Sequence, residues 1–452
     1  MITRLLLLTT SSLLLSGCFL ISPDRASVPA PADWSSSVSV GKVDPETLHG
    51  WWKNFNDDAL NQLVDHALRG SPDRQIAKAR VLEARALRQS VRSSLFPQLG
   101  VSGTGGRQNN MASNFQTGHF YEAGFDASYE LDIFGGNQNA SSASDSGLKA
   151  RNAEYQNVSL TLVAEVARNY VEFRAAQKQA LIAEKNLDSQ QKTLELVRQQ
   201  KELGESPQLD LERAEGLVNT TKSAIPEFQR QADNARLRLS VLTGEMPEVM
   251  APLLLSSDSG VIGDIKPVLL TPAEVIIRRP DVQAAEYELE SRTSLTKAEI
   301  ANIFPKVTVG GFFGVADTIL IDPTKIWSAT ANFGLSLLDF GRIQGSINAA
   351  RAREIQGFEF WRKTLLQAVT DVETALTDTS HLNEQLITLR QAAANAEHSL
   401  TLSQQLYKEG EISFLDVLDA QRTLNNAHSA VVSAEENHVK SLIALYKALG
   451  VY

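Results

Sequence analysis

The amino-acid sequence predicts an α+β membrane protein. We expect a transmembrane β-barrel that is shared between chains, with four strands per chain, continued by a long α-helical coiled-coil barrel. Three observations support this fold class. The second half of the chain repeats the first at an offset of 206 to 208 residues. Each half contains segments that alternate like strands, and each then changes to a sustained seven-residue apolar repeat, which is typical of coiled coils.

The N-terminus has the features of a targeting segment. Residues 1–17 are predicted to be a signal peptide, because their apolar core, Leu5–Leu15, is too short to span a bilayer. The Leu-Ser-Gly-Cys motif that ends at Cys18 resembles the processing box of bacterial lipoproteins, in which the cysteine is acylated. Cys18 is the only cysteine and has no disulfide partner. We therefore expect lipidation at Cys18 and a lipid-anchored strap over residues 18–50; a signal peptide with a chance cysteine is the alternative.

The duplication divides the mature chain into two repeats. The first repeat covers residues 51–246, and its short helices are followed by a β-hairpin at about 98–132 and long helices at about 137–203 and 207–244. Residues 247–271 are expected to form an irregular equatorial linker. The second repeat covers residues 272–452, with a helix at about 281–303, a β-hairpin at about 306–338 and long helices at about 342–409 and 413–449.

The predicted strands have the length and pattern of membrane-barrel strands. Tyr121–Asp132 alternates over its whole length, with aromatic and aliphatic residues on one face and Glu122, Asp126 and Glu130 on the other. Membrane barrels are apolar outside, so these three acids are predicted to face the lumen. The alternative places part of this strand in an extracellular extension. Four strands cannot close a barrel, and open edges are costly in lipid, so two or three chains must share one.

Long coiled-coil helices follow the hairpins. In the first repeat the seven-residue series consists of Val166, Phe173, Ala180, Leu187 and Leu194. A continuous helix from Asn137 to Leu203 would be about 100 Å long. Pro226 lies inside the next helix, where we expect a kink or local irregularity.

Each pair of long helices turns at a glycine. Gly204 and Gly410 are placed where a left-handed helix terminus is required. After the second turn, Ser413 is placed to cap a helix, and Asp416 and Asp419 follow on one face of it. Asp210 is the repeat mate of Asp416. These acids would also complement the positive N-terminus of a helix, which is the alternative role for them.

Several function classes find no support in the sequence. The formal charge is −10 and there is no basic run, which argues against a nucleic-acid partner. The seven histidines are scattered without ligand spacing, and the four methionines do not cluster, so no metal site is indicated. No glycine-rich phosphate loop is present. We therefore expect no enzymatic activity and no cofactor.

The motifs together resemble the outer membrane factor (TolC-like) family of Gram-negative efflux systems, and within it the lipoprotein branch often called the NodT type. The resemblance covers essentially the whole mature chain. It depends on the lipoprotein box, Trp51-Trp52-x-x-Phe55, Arg279-Pro280-Asp281-Val282, Leu338-Asp339-Phe340-Gly341-Arg342 and the Gly410–Arg422 segment. It implies a homotrimer in the outer membrane, with a twelve-stranded barrel, a twelve-helix periplasmic tunnel and an equatorial α/β belt. It also implies contact with outer membrane lipids, a periplasmic adaptor protein and an inner membrane transporter, which we expect to be of the RND type.

The resemblance also assigns roles to residues near the turns. Asp416 and Asp419 match the aspartates that line the narrow periplasmic end of the tunnel, Asp210 matches a gating aspartate, and Tyr407 matches a tyrosine that holds the closed tip. The expected adaptor-docking tips consist of Gly204, Glu205, Gly410 and Glu411. Ile412 departs from the family, because some relatives carry a basic residue there that bonds to the gate.

The expected function is passive conduction of exported small molecules through a channel that is gated at its periplasmic tips. A type I protein-secretion duct of the same fold is an alternative that the sequence hardly distinguishes. A structural lipoprotein that only spaces the envelope is a second alternative. The alternating hairpins argue against that spacer, since it would need no barrel.

Overall fold

The structure, a computed structural model, describes residues 34, 41–42, 49–109, 117–255, 268–318 and 321–452. Cys18, the signal peptide and most of the strap lie outside the described residues. The described chain is mostly helical, with one four-stranded antiparallel sheet and a parallel pairing of two-residue strands. None of its described helices is both long and apolar enough to cross a membrane.

The elements follow the two repeats. The first contains a 3₁₀ helix at Trp51–Phe55, followed by α1 (Asp58–Gly70), α2 (Pro72–Ser93), β2 (Gln98–Asn109), β3 (Thr117–Leu131), α3 (Gly136–Glu202) and α4 (Gln208–Thr243). The second contains α6 (Pro272–Arg278), α7 (Pro280–Ala301), β5 (Lys306–Thr318), β6 (Ile321–Gly334), α8 (Arg342–Lys408) and α9 (Phe414–Ala448). The remaining elements are β1 (Gly41–Lys42), α5 (Pro247–Leu255) and β4 (Val268–Leu269).

The four long helices form two antiparallel hairpins side by side, in the order α4, α3, α9, α8. The predicted seam is buried or half-buried along its length, with Val166 and Phe173 buried in α3 and Val372 and Leu386 buried in α8. At 67 residues each, α3 and α8 are about 100 Å long. Helix α4 continues without a break through Pro226.

The antiparallel sheet joins the hairpins of both repeats in the order β2-β3-β5-β6. Its strands contain 12 to 15 residues, and β3 begins at Thr117, four residues before the alternating segment identified in the sequence. The second hairpin was expected to reach residue 338, but β6 ends at Gly334, opposite Lys306. The partner strand begins there because Pro305 precedes it, and a proline has no N–H to donate to the ladder.

A belt of short elements packs against the middle of α3 and α8 and against the C-terminal ends of α4 and α9. Trp51 stacks on Tyr446 with ring centroids 5.1 Å apart, and α1 buries Leu60 and Leu63 in the same core. The linker was expected to be irregular, but its first residues form helix α5. The Met250 and Leu254 side chains of this helix are buried in the belt core. Strand β4 pairs in parallel with β1, which brings the linker beside the N-terminal strap.

Arg279 of the Arg-Pro-Asp motif connects three helices of the second repeat, α7, α8 and α9. Its guanidinium donates hydrogen bonds to the carboxylates of Asp281, at 2.7 Å, and Asp371, at 2.9 Å, and to the backbone oxygen of Ala448, at 3.2 Å. The side chain is buried, so these charged partners are required to offset its desolvation. The motif therefore holds the start of α7 and the end of α9 against α8.

Candidate functional site

The free ends of the two helical hairpins are tight glycine bends. Gly204 and Gly410 have φ angles of 80° and 78°, as predicted for left-handed helix termini. The following amides close each bend: Glu205 donates to the Gln200 oxygen at 2.8 Å, and Glu411 donates to the Leu406 oxygen at 2.9 Å. Glu205 and Glu411 are exposed. The two bends thus present matching, acidic, solvent-facing tips.

A small apolar cluster, which we call the tip cluster, holds these ends together. It consists of Val197, Leu211, Ala214, Phe414, Val417 and Leu418. Tyr407 and Ile412 pack against it. Ile412 therefore adds apolar contact at the position where some relatives carry a basic residue. The tip of this chain is held by packing as well as by polar contacts.

Tyr407 connects the two hairpins at the tip. Its hydroxyl donates a 2.6 Å hydrogen bond to Oε1 of Gln200, and its ring lies 5.5 Å from that of Phe414. Burial raises the pKa of Tyr407, and the nearby negative charge of Asp210 raises it further. The tyrosine is therefore a neutral donor at physiological pH. Gln200 is a tip residue that the sequence reasoning missed.

The three aspartates near the tips are held differently. Asp416 forms a capping box with Ser413: its carboxylate accepts from the Ser413 hydroxyl at 2.7 Å and from the Ser413 amide at 3.0 Å. Asp419 is exposed and lines a cleft of about 680 Å³ between α3, α4 and α9. Asp210 lies 3.4 Å from the guanidinium of Arg213. The helix-start role considered for these acids is thus available to Asp416 and Asp210, which lie in the first turns of α9 and α4.

Sequence differences between the two repeats explain why the corresponding residues Asp210 and Asp416 make different contacts. Ser413 corresponds to Pro207, which has no hydroxyl, so Asp210 has no capping box to join. Asp419 corresponds to Arg213. The first repeat therefore has an acid followed three residues later by a base, Asp210 and Arg213, whereas the second has two acids at this spacing, Asp416 and Asp419. Comparing the two repeats position by position would have identified Arg213 from sequence alone.

Polar contacts connect the two hairpins above the tips. Glu435 of α9 accepts from Lys178 of α3, at 2.5 Å, and from Arg390 of α8, at 3.0 Å. Nearer the tip, Gln421 of α9 donates to the Thr193 hydroxyl of α3 at 3.0 Å. These bonds couple α8 and α9 to α3, so a displacement of one hairpin tip must break or rearrange them.

The sheet has one apolar and one polar face. Val101, Phe125, Phe313 and Trp327 are directly paired across the four strands, and their exposed fractions are 78%, 57%, 58% and 76%. Glu122, Asp126 and Glu130 occupy the alternate positions of β3, which belong to the other face. A monomer rarely exposes such an apolar area unless another molecule covers it.

Phe312 departs from the polar character of that second face. Its ring lies over the cross-strand pair Gly124 and Gly314. A Cβ atom on Gly124 would lie 2.7 Å from the ring and 2.7 Å from the Gly314 backbone. The two glycines therefore make room for the ring where β3 meets β5. Sequence alternation did not predict this contact, because it depends on the pairing of strands from different repeats.

Among the described residues, no group of three or more His, Cys, Asp or Glu side chains is arranged to hold a metal ion. The exposed features are instead two acidic tips, a row of four long helices and a sheet with an exposed apolar face. This combination is typical of a subunit of a membrane channel.

The comparisons with known proteins identify the family. The model for the family described as "Outer membrane efflux protein" matches residues 63–245 and 271–451. The chain belongs to this family, and it is an outer membrane efflux channel protein. The resemblance drawn from the sequence motifs is confirmed.

Relatives match over almost their full length. The pyoverdine export outer membrane protein OpmQ of Pseudomonas putida is 30% identical over 99% of this chain and 97% of its own. The cation efflux system protein CusC of Escherichia coli is 28% identical, with 97% of each chain covered. The solved structure of the outer-membrane channel OprN has a TM-score of 0.87 at 28% identity, covering 94% of this chain and 97% of its own. The fold is therefore that of the efflux channels.

Proposed function

We propose that three copies of this chain form one continuous duct, which passively conducts exported small molecules from the periplasm to the exterior. The observation that carries this proposal is that one chain contains both a sheet with an exposed apolar face and two helices that are each about 100 Å long. A sheet in lipid cannot keep open edges, because each unpaired amide costs several kcal/mol. Strands β2 and β6 are edges in the single chain, so they must pair with neighbouring copies.

The dimensions of the apolar face support insertion into a bilayer. On β3 this face runs from Leu131 to Tyr121, ten residue steps. At about 3.4 Å per residue and a tilt of about 40°, it would be about 26 Å high, close to the roughly 25 Å band of membrane barrels. Three copies would give twelve strands, with Glu122, Asp126 and Glu130 in the lumen.

The helices support a trimeric tunnel in the same way. In the single chain α4 and α8 are the outer members of the row of four long helices, so each leaves one side for a neighbouring copy. Exposed apolar side chains lie on both helices, among them Leu209 and Val241 on α4 and Phe360 and Leu366 on α8. Three rows would close into a tube of twelve helices, which extends the barrel into the periplasm.

The gate of the duct is proposed to lie at the tips. Threefold symmetry would bring three copies of Asp416 and Asp419 around one axis, where the carboxylates would concentrate negative potential. The Tyr407–Gln200 bond and the tip cluster join the two hairpins and would hold the closed state, with Asp210 close to Tyr407. A periplasmic adaptor would dock on the bends at Gly204, Glu205, Gly410 and Glu411, and an inner membrane transporter, of the RND type, would supply the energy.

Native mass spectrometry and planar-bilayer recording of the purified protein test this function. We expect a trimer in mild detergent and discrete conductance steps after reconstitution. A spacer lipoprotein would give no conductance. A folded monomer with an intact sheet would contradict the shared barrel, and a trimer without conductance would contradict the duct.

A further inference from the structure

The two ends of the apolar sheet face carry different residues. At the end near the long helices, Leu131, Val307 and Phe333 are paired across three strands. Beyond them Leu337 and Phe340 are 89% and 92% exposed, and the carboxylate of Asp339, between them, accepts hydrogen bonds from the amides of Gly341 and Ile343. Among the described residues of this end, no charged side chain belongs to the apolar face.

The far end of the same face is basic. Strand alternation from Val101 places Arg107 on the apolar face, and alternation from Trp327 places Lys325 there as well. Both side chains are exposed. His119, opposite Arg107, lies 3.8 Å from the carboxylate of Asp317, which is the acidic residue among the described side chains at this end of the face. Arg107 and Lys325 outnumber this acid, so the described residues of this end carry a net positive charge.

From this asymmetry we infer that the far rim of the barrel binds the phosphate groups of anionic lipids through Arg107 and Lys325. The inference rests on the proposed membrane insertion. The occupant must be a lipid, since both cations continue an apolar face that lipid chains would cover. It must be anionic, because basic side chains at a membrane rim gain energy only from negative headgroups. The uncharged rim near the helices suits a neutral headgroup layer.

The position of the two cations in the sheet adds a second feature. Arg107 lies on β2 and Lys325 on β6, the two edge strands of the chain. Closure of a trimer places β2 of one copy beside β6 of the next. Each seam would therefore have Arg107 of one copy on one side and Lys325 of the next copy on the other, so an anionic lipid bound across the seam would contact two copies. An anionic lipid at this rim is thus expected to stabilise the trimer.

Native mass spectrometry of the purified full-length protein tests this inference, with phosphatidylglycerol, lipid A and phosphatidylcholine as the added lipids. The wild type should retain the two anionic lipids in preference to phosphatidylcholine, and the preference should fall as salt is added. Arg107→Gln combined with Lys325→Gln should weaken anionic lipid retention by about fivefold for each cation removed. The variant trimer should also dissociate at a lower temperature in phosphatidylglycerol.

Lys306→Gln is the matched control. Lys306 is an exposed cation of the same sheet, but it pairs with Glu130 on the polar face at the other end. The Lys306→Gln variant should retain the lipid preference of the wild type. Equal retention of all three lipids by the wild type, or an equal loss in the Lys306 variant, would overturn the inference while leaving a conducting trimer. Absence of a trimer would instead contradict the proposed function.

Discussion

The hydroxyl of Tyr407, near the end of α8, donates a hydrogen bond of 2.6 Å to Oε1 of Gln200, near the end of α3. The two residues are 207 positions apart in sequence, and they belong to different repeats. This bond therefore joins the tips of the two helical hairpins directly. Any movement that separates the two hairpins at their tips must break it.

Removing this bond should favour the open channel. A net hydrogen bond contributes about 1 kcal/mol, so Tyr407→Phe should shift the closed-to-open equilibrium by about fivefold in each subunit. Single-channel recording should show a higher mean conductance or open fraction. Gln200→Ala should have the same effect, and the double variant should add little to either single one. Additive effects of the two substitutions would mean that the bond does not hold the tip.

A second tyrosine predicts how stability depends on pH. Tyr170 donates a 2.6 Å hydrogen bond to Asp57, which caps α1, and accepts one of 2.9 Å from Arg174. Burial, and then the Asp57 carboxylate, raise the pKa of Tyr170 to about 12. The folded state therefore holds this proton more tightly than the unfolded state, whose tyrosine pKa is about 10. The stability it contributes is complete below about pH 10 and is lost as the pH rises toward 12.

Tyr170→Phe should reduce the alkaline loss of thermal stability and should cost about 1 kcal/mol or more at neutral pH. Thermal unfolding between pH 7 and pH 12 measures both effects. Tyr446→Phe is the control for the neutral-pH effect, since the Tyr446 hydroxyl is buried without a hydrogen-bond partner. Burial also raises the pKa of Tyr446, so this variant should reduce the alkaline loss as well. That control should lose no stability at neutral pH. An unchanged alkaline slope in the Tyr170 variant would contradict the assignment.

At the glycine pair beneath Phe312, Gly124 and Gly314, we expect the sheet to tolerate no larger side chain. In Gly124→Ala the new Cβ would lie 2.6 Å from the Phe313 backbone oxygen, so the β3–β5 pairing must shift. We expect fewer assembled trimers, measured by heat-modified mobility of the membrane fraction on gels. Gly334→Ala is the control, because nothing lies within 4 Å of its Cβ position. Equal assembly of the two variants would show that the sheet adapts at Gly124.

Features that depend on local pattern could be predicted from the sequence. The glycine bends, the heptad seams and the alternation of β3 each follow from a short period or a required φ angle. Features that depend on distant partners could not. Helix α5 forms because its Met250 and Leu254 side chains reach the belt core, and β6 stops because Pro305 lies opposite its end. The Tyr407–Gln200 bond likewise needs two hairpins side by side, which no local pattern specifies.

The capping role of Asp416 changes how the proposed acidic ring must be tested. Alanine at Asp416 would remove a charge and also a helix cap, which contributes about 1 kcal/mol. Two other substitutions separate these effects. Asp419→Asn removes a charge from an exposed side chain that caps nothing, and Ser413→Ala weakens the cap without changing any charge.

If six carboxylates surround the axis, the channel should prefer cations and should be blocked by trivalent cations. Asp419→Asn should then weaken both properties while the tips keep their thermal stability. The difference should shrink at 1 M salt, where the screening length is about 3 Å. Ser413→Ala should show the opposite pattern: lower tip stability, measured by amide hydrogen exchange near Phe414, with cation preference retained. If Asp419→Asn keeps wild-type preference and block, Asp419 does not line the constriction. Asp416 would then be left with only its capping role, and the narrow point of the duct would have to lie elsewhere along the helices.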